Sequence, residues 1–142
     1  MKSLIKYADW DMYVCKKIEP DLPDEGAARA VAYHIQQAVE KILKAYISFY
    51  GENPPYKHDI SQLCDIAERL GVVLPSEAKE IADTLTLWES KARYDPYVSF
   101  SLLKYEKAKV AYETLRKNLV IEVSEAEEAT KTEDSETCRK DG

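Results

Sequence analysis

Glycine is scarce in this 142-residue chain, at four residues, and its six prolines gather at a few points. That pattern suits long helices separated by short breaks; no strand-like alternation and no internal repeat is present. Cysteine is limited to Cys15, Cys64 and Cys138, with no CxxC spacing and no pairable set, so reduced thiols in a reducing compartment are expected. No apolar run approaches the roughly 18 residues that a membrane span requires. The start, Met1 to Lys6, meets Asp9 and Asp11 too soon for a signal peptide. A cytoplasmic protein with no membrane partner is the expectation. A basic excess is missing too: the formal net charge is -6, which argues against a sequence-specific DNA binder. It leaves room for a small nucleotide site or a locally basic groove.

Apolar residues at 45% and charged residues at 32% describe one soluble globular domain. The acids are unevenly placed. From Glu122 onward eight acids stand against three bases, leaving residues 1–121 near neutrality. The expected division is therefore a helical body over 1–121 and an acidic, disordered tail over 122–142.

Helical periodicity organises the body. Ile5, Ala8, Met12 and Cys15, spaced 3, 4 and 3, mark the inner face of a first helix over about Ser3 to Ile18. Pro20, Pro23 and Gly26 interrupt it. In the second helix the apolar residues from Ala28 to Tyr50 fall within one broad arc, wide enough to pack against two or more helices. Asp24 or Glu25 supplies charge at its start, and Gly51 stands where a left-handed terminating residue belongs. Asp59, with Gln62 three residues on, opens a short third helix that Gly71 closes. Pro75 and Ser76 open a fourth, with Ala78, Ile81, Leu85, Trp88 and Ala92 inward, ending before Pro96. The fifth covers roughly Val98 to Leu119, with Leu102, Tyr105, Ala108, Tyr112, Leu115 and Leu119 inward. The predicted fold is all-α: an antiparallel up-and-down four-helix bundle with one additional short helix.

Chemistry-bearing residues concentrate on the polar side of the second helix. His34, Gln37, Lys41 and Lys44 follow at 3, 4 and 3, a ridge of donors and positive charge, and Glu40 precedes Lys44 by four. Two readings stay open: a solvated face with routine ion pairs, or a polar groove suited to a phosphate or a base edge. The histidines, 24 positions apart with no ligand spacing around them, make no metal site, and each is read as structural. Cys15 and Cys64 are read as small buried residues. Asp9 and Asp11 diverge by about 200° on a helix and form no carboxylate dyad. No phosphate-cradling loop, dinucleotide fingerprint or nucleophile elbow occurs.

The run Tyr33-His34-Ile35-Gln36-Gln37-Ala38-Val39-Glu40-Lys41-Ile42-Leu43-Lys44-Ala45 resembles the second-helix signature of HEPN domains, a nucleotide-binding family of higher eukaryotes and prokaryotes. His58-Asp59-Ile60 is similar to the family's His-Asp-Leu opening of the short helix, and Ala92-Arg93-Tyr94 to its Ala-Arg-Tyr ending of the next. Ala8-Asp9-Trp10 fits its first helix. The resemblance covers about residues 3–119. It implies a bundle that dimerises and works beside a partner nucleotidyltransferase. Many members are metal-independent ribonucleases of toxin–antitoxin systems, with an Arg followed after four to six residues by a His. That chemistry needs a cation for phosphorane charge and an imidazole for proton transfer.

This chain departs from that pattern. The allowed positions after Arg93 hold Val98, Ser99 and Phe100, and no histidine follows His58. Arg29 and His34 have the spacing, but five residues along one helix rotate them about 140° apart. No catalytic residue is therefore assigned. Arg93 remains a candidate phosphate grip, or simply a cation at a helix end. Tyr94 and Tyr97 are candidates for stacking on a base or for a dimer contact. Together with Gln37, Lys41 and Lys44 they form the candidate nucleotide or RNA site, with no cofactor beyond a nucleotide ligand. The leading expectation is a catalytically degenerate binding module acting as a homodimer. The alternatives are a ribonuclease toxin using Arg93 without the histidine, and a purely structural protein-interaction dimer.

Overall fold

A computed structural model describes residues 1–90 and 100–140 of the chain, with side chains placed through Glu89 and from Phe100 to Lys131. Five α-helices make up the fold: α1 (Lys2–Ile18), α2 (Glu25–Phe49), α3 (Ile60–Arg69), α4 (Ser76–Ser90) and α5 (Leu102–Lys140). A single 3₁₀ turn, Glu19–Asp21, joins α1 to α2. There is no strand among the described residues.

The helix ends follow local chemistry. Asp24 caps α2 by accepting from the Ala27 amide at 3.0 Å, and Asp59 caps α3 by accepting from the Gln62 amide at 3.1 Å. Ser101 does the same for α5 through the Lys104 amide at 3.2 Å. Gly51 and Gly71 follow α2 and α3 with φ of 89° and 100°, conformations that a side chain would resist.

The helix α2 is central and packs against all four others. Its broad inner arc, including Val31, Ile35, Val39, Ile42 and Leu43, is fully buried in a single core cluster. From α1 come Ala8, Met12 and Cys15, from α4 Ile81, Leu85 and Trp88, and from α5 Tyr105, Tyr112, Leu115 and Leu119. The side-chain partners show the sense of packing. Contacts pair Cys15 with Val31 and Asp11 with His34, so α1 and α2 run oppositely, as a short connection requires. Lys107–Glu80 and the stacked Trp88–Phe100 rings place α4 against α5 in the same opposed manner.

Two expectations need correction. Leu102 is exposed: it lies about 60° beyond the buried arc of α5. The chain past Val123 does not fray, for α5 continues as helix to Lys140. Val123 is buried, the Tyr50 hydroxyl donates to Glu122 at 2.7 Å, and Lys2 pairs with Glu127 at 2.5 Å. Once α5 is nucleated, its Glu-, Ala- and Lys-rich continuation extends with no new nucleation cost.

Candidate functional site

The contacts that α2 makes with its neighbours bury two acids, Asp11 of α1 and Glu40 of α2 itself. Asp11 sits on the inner face of α1, between Ala8 and Cys15, and is buried. A buried carboxylate is costly unless paired, and α2 supplies the partners. Its Oδ1 receives His34 Nδ1 at 2.8 Å and its Oδ2 receives Lys41 Nζ at 2.5 Å. An ionised carboxylate only accepts, so the His34 Nδ1 donates in this contact.

On another side of α2, Glu40 and Gln36 are buried as well. Glu40 Oε1 meets His58 Nδ1 at 2.7 Å and Gln36 Nε2 at 3.4 Å, while Lys44 approaches Oε2 at 3.8 Å. The chain extends outward, with Gln37 Nε2 donating to Gln36 Oε1 at 2.7 Å. His58 stands just ahead of α3, so this carboxylate ties α3 to α2 as Asp11 ties α1 to α2. Both imidazoles are therefore oriented by a buried acid, and neither Nε2 has a protein partner among the described residues.

The candidate ridge is thus assembled, but with its charge balanced. Lys41 and Lys44 each sit on a buried carboxylate, so the ridge offers imidazole nitrogens and an amide oxygen more than free cations. Arg93, Tyr94 and Tyr97 lie outside the described residues, as does the Ala92-Arg93-Tyr94 motif. Sequence reading missed Asp11 and the depth of Glu40. The signal was available: Ala8, Asp11 and Cys15 are themselves spaced 3 and 4, which puts an acid on an apolar face.

Asp9, two residues before Asp11, faces α5. Arg116 grips it bidentately, Nε to Oδ1 at 2.7 Å and Nη2 to Oδ2 at 2.8 Å, and the Tyr112 hydroxyl donates to the same Oδ1. Partial burial alone would raise the Asp9 carboxyl. The Arg116 and Tyr112 hydrogen bonds outweigh it and hold the group below its ordinary value. Arg29 is exposed and His34 is turned to Asp11, so that pair does not converge. Burial pushes the Cys15 and Cys64 thiols up to about 12, which leaves them inert. Among the described residues no group of three or more His, Cys, Asp or Glu is placed to hold a metal ion, and no helix is long and apolar enough to cross a membrane.

The described residues are thus all-helical, with His34 on the central helix and His58 ahead of α3 each oriented by a buried carboxylate. The family model described as HEPN domain matches residues 1–132, nearly the whole chain. The protein belongs to the HEPN family, a class of nucleotide-binding or ribonuclease-type helical modules. Neither a curated protein nor a solved structure matches the chain.

Proposed function

We propose that this HEPN domain is a catalytically degenerate nucleotide- or RNA-binding module. It acts as a homodimer beside a nucleotidyltransferase partner of toxin–antitoxin type. One observation carries the binding reading: two imidazoles, His34 and His58, are oriented by the buried Asp11 and Glu40, and neither Nε2 has a protein partner among the described residues. Donors and acceptors held in place by buried acids suit a base edge or ribose, and Arg93 is the candidate phosphate grip. The absence of a histidine at positions 98–100, after four to six residues intervening from Arg93, supports the degenerate reading.

The test is equilibrium binding of nucleotides and short RNA to wild type and Arg93→Ala, with metal-free cleavage of total RNA followed in parallel. The expected result is weakened affinity in Arg93→Ala, little change in melting temperature, and no cleavage by either protein. Equal affinity in the variant removes Arg93 from the site. Cleavage by wild type but not by the variant makes the protein a ribonuclease lacking the usual histidine.

A further inference from the structure

The outward face of α1 is unlike the rest of the surface. Tyr7, Trp10 and Tyr13 are 48%, 54% and 62% exposed, three large aromatic side chains at successive spacings of three. Tyr7 and Trp10 meet edge to face, with centroids 5.2 Å apart. Lys6 Nζ lies 5.1 Å from the Trp10 ring centroid, and Lys17 Nζ lies 5.4 Å from that of Tyr13. At 100° per residue these five side chains share an arc of about 120°, and no acid of α1 falls inside it. Asp9 and Asp11 border the arc on opposite sides. Both are neutralised from within, Asp9 by Arg116 and Asp11 by Lys41. Lys6 and Lys17 have no acidic partner among the described residues. A chain of net charge -6 thus carries one face that is aromatic and cationic.

We infer that this face of α1 is a stacking platform for single-stranded RNA, a site separate from the α2 ridge. The inference rests on the RNA-binding reading above and assigns it a second surface. Tyr7 to Tyr13 spans about 9 Å of helix, room for two or three bases, with Lys6 and Lys17 about 16 Å apart along the axis to meet the backbone phosphates. Every base has a π face, so such a platform binds single strands with little sequence preference. Area disfavours a protein as the occupant. Three half-exposed aromatic side chains offer roughly 300 Å². A standard protein interface covers about 800 Å² per partner.

The two tryptophans make the face directly observable, because Trp88 is 2% exposed in the core and Trp10 faces solvent. The experiment titrates the full chain with an unstructured oligoadenylate of about eight nucleotides, following Trp fluorescence together with the anisotropy of the labelled RNA. Saturable quenching of Trp10 that tracks the anisotropy is the expected result. Trp10→Ala should weaken binding about tenfold and abolish the quenching, while Trp10→Phe, which keeps a ring, stays within about threefold of wild type. Lys6→Gln with Lys17→Gln should flatten the salt dependence of affinity. RNA binding with no quenching and no effect of Trp10→Ala overturns the platform and leaves the RNA-binding reading intact. No RNA binding by wild type overturns both. Trp10 quenching that grows with protein concentration in the absence of RNA, or that appears only with anionic vesicles, assigns the face to a second copy or to a lipid surface and overturns the proposal.

Discussion

Asp11→Ala is the substitution that most directly tests how α1 is held to α2. It removes the carboxylate that His34 and Lys41 share, at 2.8 Å and 2.5 Å, and leaves an ammonium and an imidazole facing a void in the helix contact. Breaking a buried pair by deleting one partner costs about 3–5 kcal/mol. Here the stranded Lys41 is a quarter exposed and its long stem can carry the charge to water, which lowers the cost to about 2–3 kcal/mol. For a domain of this size that corresponds to a fall in melting temperature of about 5–10 °C, read by far-UV circular dichroism. Asp11→Asn keeps the shape and one acceptor, and should cost about half as much. The decisive comparison is Asp11→Leu with Lys41→Met, which replaces the pair by apolar groups of similar bulk. Its melting temperature should lie above that of Asp11→Ala, because no uncompensated charge remains. A shift below about 2 °C for Asp11→Ala would show that the carboxylate contributes nothing to the α1–α2 contact, and strict additivity of Asp11→Leu and Lys41→Met would show that these two side chains are uncoupled.

Further outcomes follow from other contacts. Ending the chain after Val123 removes residues whose described side chains are all exposed, and with them the Lys2–Glu127 surface pair, so stability should change by less than about 1 kcal/mol while helical signal falls. A larger loss on thermal unfolding would show that the tail packs on the body. Asp9 is held below its ordinary value in the folded state, so its contribution is complete above the ordinary carboxylate range near pH 4 and disappears as pH falls through the lower folded value. Asp9→Asn should therefore melt below wild type at pH 7, with the gap closing as pH falls below the ordinary carboxylate range. A gap that is constant with pH would remove the Asp9–Arg116 charge pair as its cause.

Periodicity made most of the architecture legible. The arc of α2, the caps Asp24 and Asp59 and the stops Gly51 and Gly71 each depend on residues within a few positions of one another, and local chemistry decides them. The carboxylate–histidine pairs could not be read that way, because Asp11 and His34 are 23 positions apart and Glu40 and His58 are 18 apart. Asp11 borders an apolar face, which calls for a partner without showing which, whereas Glu40 lies on the polar side of the second helix, where none is demanded. The spacing of Glu40 and Lys44 pointed to an ordinary surface pair, whereas the shorter contact is with His58. The α5 extension was hidden for a different reason. Composition describes what a segment buries, and Ser124 onward buries little, yet a helix already nucleated against α2 and α4 continues through residues that could not start one.

The ion pairs that hold the bundle together also set the sign of its surface. On α1 the acids Asp9 and Asp11 are turned inward to α5 and α2, where Arg116 and Lys41 neutralise them, while Lys6 and Lys17 remain outside. Folding thereby separates the charges of a single helix, with carboxylates spent in structural contacts and ammonium groups left over exposed rings. On α2 the arrangement is reversed: the lysines are drawn down onto buried acids, and the outer edge carries imidazole and amide groups. One face is thus suited to backbone phosphate and base stacking, and the other to base or ribose edges, although the chain as a whole is acidic. Arg116→Ala tests that logic, because it frees the Asp9 charge beside Lys6 and Tyr13 without touching any residue of the platform. RNA affinity should fall most at low salt, where an unscreened carboxylate acts furthest, and the difference from wild type should shrink as ionic strength rises. A loss of affinity independent of salt would instead trace to a shift of α1 against α5, and the charge-separation argument would fail.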